Sequence, residues 1–390
     1  RAFSYTNLSS IELNSFAEAG TDYYNSQYRG AQFSYCPSLV NVTMKIMPYI
    51  QVDMFLECGK LSFLDMPQVS SISLNGVNGC NSLSNLTFPS LVSIGANVFK
   101  GIPGIVEVNL PSITSIGNNA FEGCSNLVSF YAENCTYVGK YAFNNCAKLK
   151  EIYFPKLTEI GARAFSYTSL SSIELNSFAE AGTEYYSSQY RGAQFSYCRS
   201  LVNATLKRMS YIQSDMFLEC NKLIYIDMPQ VTFIYYNGLY GCSSLNNITF
   251  PNLNSIGERS FQGNGGLTEI NLPSLTSIGV YAFQGCPNLV SFSAENCTYI
   301  GQYAFDNCAK LEVINLPTLN EVGPRVFSYT KLGSIELNSL TIAGTTYYNS
   351  AYRGAQFQYC ISLKKATLGK MPYIQSDMFM QCTNLEEVYI

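Results

Sequence analysis

The chain has 390 residues, 13% charged and 47% hydrophobic, with 30 Tyr, 24 Phe and 14 Cys but neither Trp nor His. That apolar content is ample for a packed core and excludes a disordered chain. A net charge of −4 gives no electrostatic reason to expect nucleic acid or an anionic membrane as partner, and no run of eighteen apolar residues is present to span a bilayer.

Read from its start, the chain repeats itself. Phe3 is followed 30 residues on by Phe33, then at steps of 22 by Phe55, Val77, Phe99, Phe121, Phe143 and Phe165. A second step of 30 reaches Phe195, from which steps of 22 pass Phe217, Leu239, Phe261, Phe283 and Phe305 to Phe327. A third step of 30 leads to Phe357, and Phe379 is the last marker. A longer period of 162 therefore lies above the shorter one, and segments 1–36 and 163–198 differ at only three positions. The expected organisation is one domain, 1–390, made of super-repeats 1–162, 163–324 and 325–390. The opening Arg1 and the stop in mid-pattern at Leu385–Ile390 suggest a piece of a longer chain.

One unit, Leu267 to Asn288, gives the expected course of every coil. Leu267-x-x-Ile270-x-Leu272 is a short alternating strand with Ile270 and Leu272 inward. Pro273 ends the pairing because it has no donor for a ladder bond. Leu275 and Ile278 form a second inward pair, Gly279 turns the backbone, and Ala282 with Phe283 plugs the coil. A single coil cannot bury both of its walls, whereas stacked coils cover one another. The predicted fold is a right-handed solenoid, strand-rich with little helix, carrying a parallel sheet of sixteen or seventeen strands on one face.

The pattern Leu-Pro-x-Leu-x-x-Ile-Gly-x-x-Ala-Phe-x-x-Cys-x-x-Leu resembles the BspA-like leucine-rich repeats of bacterial surface proteins, which also occur in some protozoa. The resemblance covers essentially the whole chain and departs from the pattern in the three 30-residue coils. It implies an α/β-type leucine-rich-repeat solenoid. It also implies an adhesin-type protein, extracellular or at the cell surface, with host or microbial partners.

Twelve of the 14 Cys lie three residues after a marker, while Cys135 and Cys297 take a slot that other coils fill with Leu or Ile. Without His or a Cys-x-x-Cys pair a metal array is disfavoured, and no metal or cofactor is expected. Disulfides between adjacent coils are allowed by distance, but buried free thiols acting as small hydrophobes are the preferred reading. Catalysis also lacks material. The absence of His removes the usual nucleophilic triads, and Gly263-Asn264-Gly265-Gly266 lacks the Lys-Ser/Thr end of a phosphate loop. Carboxylates such as Glu107 and Glu151 are scattered rather than paired. Seven Asn-x-Ser/Thr sequons, beginning at Asn7, Asn41, Asn85, Asn134, Asn203, Asn247 and Asn296, are read as products of repeat copying.

Two surfaces remain as binding candidates. The outward strand positions carry nine acids, among them Glu107, Glu151, Glu174 and Glu269, against one base, Lys365. The three long coils insert about nine residues ahead of the marker, with Tyr23, Tyr24, Tyr28 and Arg29 in the first, Tyr185, Tyr186, Tyr190 and Arg191 in the second, and Tyr347, Tyr348, Tyr352 and Arg353 in the third. A solenoid needs no such insertions, and Tyr and Arg are favoured contact residues. The reading is a non-catalytic binding module for an extracellular protein or glycan, including polymeric ones. The alternatives are a structural spacer carrying another domain and, less favoured, a carbohydrate-active enzyme.

Overall fold

The computed structural model describes residues 2–20, 22–24, 27–186, 189–348 and 351–390; at 22–24, 27–29, 184–186, 189–191, 347–348 and 351–352 the description is of the backbone alone. The chain divides into two compact units, Arg1–Leu201 and Val202–Ile390. Each is a strand-rich parallel β-solenoid, and no helix occurs among the described residues.

In the first unit the alternating strands follow the 22-residue register. Glu107–Asn109, Ser129–Tyr131 and Glu151–Tyr153 pair in parallel, with Val108 and Phe130 buried and Glu107 and Asn109 exposed. A second parallel sheet forms on the other wall. Its strands are two residues long and run from Tyr49–Ile50 through Ser115–Ile116 to Glu180–Ala181, seven in all. The second unit repeats this with Glu269–Asn271, Ser291–Ser293 and Val313–Asn315 on one wall and seven short strands from Tyr211–Ile212 to Ile342–Ala343 on the other.

The strand face is not the continuous sheet that the register predicts. Residues 85–87 and 247–249, expected to be strands, have no ladder partners. Next to each gap a glycine presses on the preceding coil: a Cβ on Gly104 would collide with the carbonyl oxygen of Leu83, and one on Gly266 with that of Leu245.

A third ladder joins the coils at their turns. Around Phe99, Asn97 (φ 58) and Gly101 (φ 71) both have left-handed backbone, and the same pair of positions flanks most markers. Such a conformation is costly for residues with a Cβ, but it aims successive amides at the following coil. Asn97 N, Phe99 N and Gly101 N donate to Asn118 O, Ala120 O and Glu122 O at 2.9, 2.8 and 2.7 Å.

Stacked phenylalanines fill the core. In the first unit Phe99, Phe121, Phe143, Phe165 and Phe195 stand 5.0, 5.4, 5.2 and 5.7 Å apart by ring centroids, and Phe130 packs edge-on against Phe121 and Phe143. In the second unit the column from Phe261 to Phe379 keeps spacings of 5.1 to 5.8 Å. These offset geometries are favourable for aromatic pairs beyond the area they bury. All 14 Cys are free thiols, and 13 are buried.

Candidate functional site

Each insertion is an antiparallel hairpin rather than an irregular loop. Asp22–Tyr24 pairs with Gln27–Arg29 so that Tyr23 stands opposite Tyr28 and Asp22 opposite Arg29. Glu184–Tyr186 pairs with Gln189–Arg191, placing Tyr185 opposite Tyr190. Thr346–Tyr348 pairs with Ala351–Arg353, placing Tyr347 opposite Tyr352. Of the twelve candidate hairpin residues only Arg353 has a described side chain; the other eleven side chains lie outside the described residues. Arg353 Nη1 lies 2.8 Å from Asp377 Oδ2 on the following coil, a charge contact rather than an aligned hydrogen bond.

A glutamine clamp holds the root of each hairpin. Gln32 Nε2 donates to Gly20 O and to Gln51 Oε1 (3.1 Å), and Gln51 Nε2 donates to Ala19 O at 2.6 Å. Gln194 Nε2 reaches Gly182 O at 2.6 Å. In the third copy Gln356 Nε2 reaches Gly344 O at 2.7 Å and Gln375 Nε2 reaches Ala343 O at 2.6 Å. Gln32, Gln194 and Gln356 are buried, so these bonds are made away from solvent. At the returning strand Gly354 passes so close to Gln375 that a Cβ would sit 2.5 Å from the Gln375 Cβ. The glutamines were not singled out as sequence features. Their recurrence at the 162-residue period was the available signal.

The strand face supplies the second candidate surface. In the first unit Tyr131 and Tyr153 are cross-strand neighbours, each more than a third exposed. The Tyr131 hydroxyl donates to Glu151 Oε2 at 3.1 Å, and this bond to a carboxylate holds its pKa above the ordinary phenol value. Beside them Tyr153, Pro155, Ser172, Glu174 and Asn176 line a cavity of about 370 Å³, where Asn176 Nδ2 donates to Glu174 Oε1 at 2.9 Å. Glu107 and Glu151 are separated by the intervening Ser129 strand, so the register does not bring these two carboxylates together as neighbours.

The surroundings of the cysteines suit packing better than chemistry. Burial pushes Cys58, Cys124, Cys135 and Cys297 up to about 12, far from the range of a nucleophilic thiolate. No group of three or more metal-ligating side chains gathers among the described residues.

The family model described as the BspA type leucine rich repeat region matches in six overlapping copies, residues 1–80, 70–192, 114–246, 191–290, 232–353 and 276–390. Among solved structures, a leucine-rich repeat protein from Bacteroides ovatus is similar at 23% identity and a TM-score of 0.52, over 92% of this chain and 89% of that one. A leucine rich cell surface protein from Faecalibacterium prausnitzii matches at 16% identity and a TM-score of 0.35, over 99% and 89%. The pneumococcal vaccine antigen PcpA matches at 16% and 0.36, over 87% of each chain. No curated protein matches the chain.

Proposed function

Since the chain belongs to the BspA-type leucine-rich repeat family, we propose that it is a non-catalytic binding module, displayed outside the cell or on its surface, for an extracellular protein or glycan. The observation that carries this reading is the clamped hairpin. The 22-residue repeat needs no such insertion, yet hairpins recur at the long period and their roots are tied by the buried Gln32, Gln194 and Gln356. A segment beyond the repeat's needs whose root is anchored is suited to presenting a surface, because less ordering entropy remains to be lost on contact.

The proposed contact residues are Tyr23, Tyr24, Tyr28 and Arg29, with their counterparts Tyr185, Tyr186, Tyr190 and Arg191 and Tyr347, Tyr348, Tyr352 and Arg353. Weak sites repeated along one chain gain by avidity when the partner is itself repetitive, such as a polysaccharide or a matrix fibre. The test is binding of the purified chain to arrays of glycans and matrix proteins, before and after replacing the four residues by Ser in one hairpin and then in all three. A modest loss for one hairpin and a much larger loss for three is expected. Binding that survives the triple replacement would remove the hairpins from the proposal.

A further inference from the structure

The 162-residue period gives each strand-face residue of the first unit a counterpart in the second. Glu107, Asn109 and Ser129 recur as Glu269, Asn271 and Ser291, but Tyr131 becomes Ser293, Glu151 becomes Val313 and Tyr153 becomes Asn315. In the first unit Tyr131 bonds to Glu151, and Ser129 on the same strand is only 6% exposed. In the second unit there is no phenol at that position, and Ser291 is partly exposed. The result is a trench of about 600 Å³ in the strand face. It runs from Asn247 and Thr249 past Glu269 and Asn271 to Val313 and Asn315, and the short side chains of Ser291 and Ser293 lie between the last two strands.

We propose that this trench binds a neutral saccharide. The proposal rests on the reading of the chain as a binding module and names a ligand class for part of its strand face. The flanking strands are two ladder spacings apart, about 9.6 Å between backbones, and their side chains narrow that to a slot for a single ring. The volume is within the usual range for small-molecule sites. Asn271 presents a donor and an acceptor in one plane, Ser291 can donate and accept, and Glu269 accepts. Asn315 Nδ2 donates to Ser293 Oγ at 3.0 Å, which leaves the Asn315 carbonyl, its second N–H and the Ser293 O–H for a ligand. Sugar hydroxyls likewise donate and accept, so such a mixed lining can satisfy them. Val313, 59% exposed, offers an apolar patch to the C–H face of a ring. Glu269 and Glu295 line the trench without a basic residue, which disfavours sulfated, sialylated or uronic sugars.

The first unit supplies the means of closing the trench. Ser293→Tyr with Val313→Glu rebuilds the Tyr131–Glu151 pair on the same scaffold, which already folds around it. The test is the full chain on a printed array of neutral and acidic oligosaccharides, comparing wild type, this double variant and the triple hairpin replacement. A thermal melt of each variant reports folding. Neutral oligosaccharides should bind the wild type, and the double variant should lose at least about tenfold in affinity, roughly 1.4 kcal/mol, at an unchanged melting midpoint. The hairpin replacement should leave this binding in place. If no neutral oligosaccharide binds, if only acidic ones do, or if the double variant binds as wild type, the inference is overturned. A matrix protein bound through the hairpins, with no neutral sugar bound, would overturn the trench and leave the proposed function standing. A double variant that unfolds is replaced by Ser293→Tyr alone, read in the same way.

Discussion

The thiol of Cys124 donates a hydrogen bond to the carbonyl oxygen of Phe99, one coil earlier, at 3.0 Å. Cys146 does the same to Phe121 at 3.1 Å, Cys286 to Phe261 at 3.2 Å and Cys308 to Phe283 at 3.1 Å. The cysteine column therefore does more than fill space: it satisfies carbonyls that face the core. In the coil where Thr168 replaces Cys, the Thr168 hydroxyl donates to Phe165 O at 2.9 Å.

Native thiol titration should accordingly find few reactive groups, and denaturation without reductant should release close to the full 14. A low count after denaturation would mean that disulfides exist.

The same burial predicts alkaline lability. Cys58, Cys124, Cys135 and Cys297 are raised from 9.0 to about 12, so folding favours their protonated form. That contribution is fully present below about pH 9, where the unfolded chain is also protonated, and is lost as pH rises toward 12. Melting midpoints measured under reductant should fall steadily across this interval, and Cys124→Ala should make the fall shallower.

Phe121 is fully buried between Phe99 and Phe143 and meets Phe130 edge-on. Phe121→Ala should destabilise the first unit by about 3–5 kcal/mol, read as a shift in the urea midpoint. An unchanged midpoint would show that the phenylalanine column is not the main support of the coils.

Gly104 and Gly20 separate a backbone clash from a mere change of residue. A Cβ on Gly104 would run into Leu83 O, whereas one on Gly20 has open space around it. Gly104→Ala should cost about 1–3 kcal/mol, while Gly20→Ala should be neutral or slightly stabilising, because it restricts the unfolded chain. Equal midpoints for the two variants would contradict the close approach of the coils.

Gln194→Ala removes the donor to Gly182 O. Amide hydrogen exchange in Glu184–Tyr186 and Gln189–Arg191 should quicken in this variant more than exchange in Ser115–Ile116, where the ladder is untouched. Equal acceleration at both would show that the clamp serves the whole coil rather than the hairpin.

The parts of the fold legible in the sequence are those with a side-chain period. The inward set Val108, Phe130 and Ile270 followed from alternation, and Phe121 and Cys124 from the 22-residue register. The ladder at the turns has no side-chain signature, because Asn97, Tyr141 and Arg163 share left-handed backbone while differing in chemistry. The breaks at 85–87 and 247–249 carry no mark in the register, because both stretches keep the alternation of paired strands. The hairpins were visible as insertions but not as paired strands. The trench could be found only by setting Tyr131 beside Ser293, since either residue alone reads as an ordinary solvated position.

The turn ladder runs one way and the strand walls run both ways. Asn97 N and Phe99 N at the turn reach forward to Asn118 O and Ala120 O, while on the strand walls Thr114 N and Gly117 N reach back to Val92 O and Ile94 O and Leu110 N reaches forward to Tyr131 O. An interior coil thus gives to both neighbours and receives from both. Within a unit, inserting or removing one 22-residue stretch adds or subtracts donors and acceptors in equal number and leaves the flanking registers intact. Genomic slippage by a whole repeat is therefore expected to yield a chain that folds. Recombination can vary the number of coils, and with it the reach of the surface, in fixed increments without first having to invent a new interface.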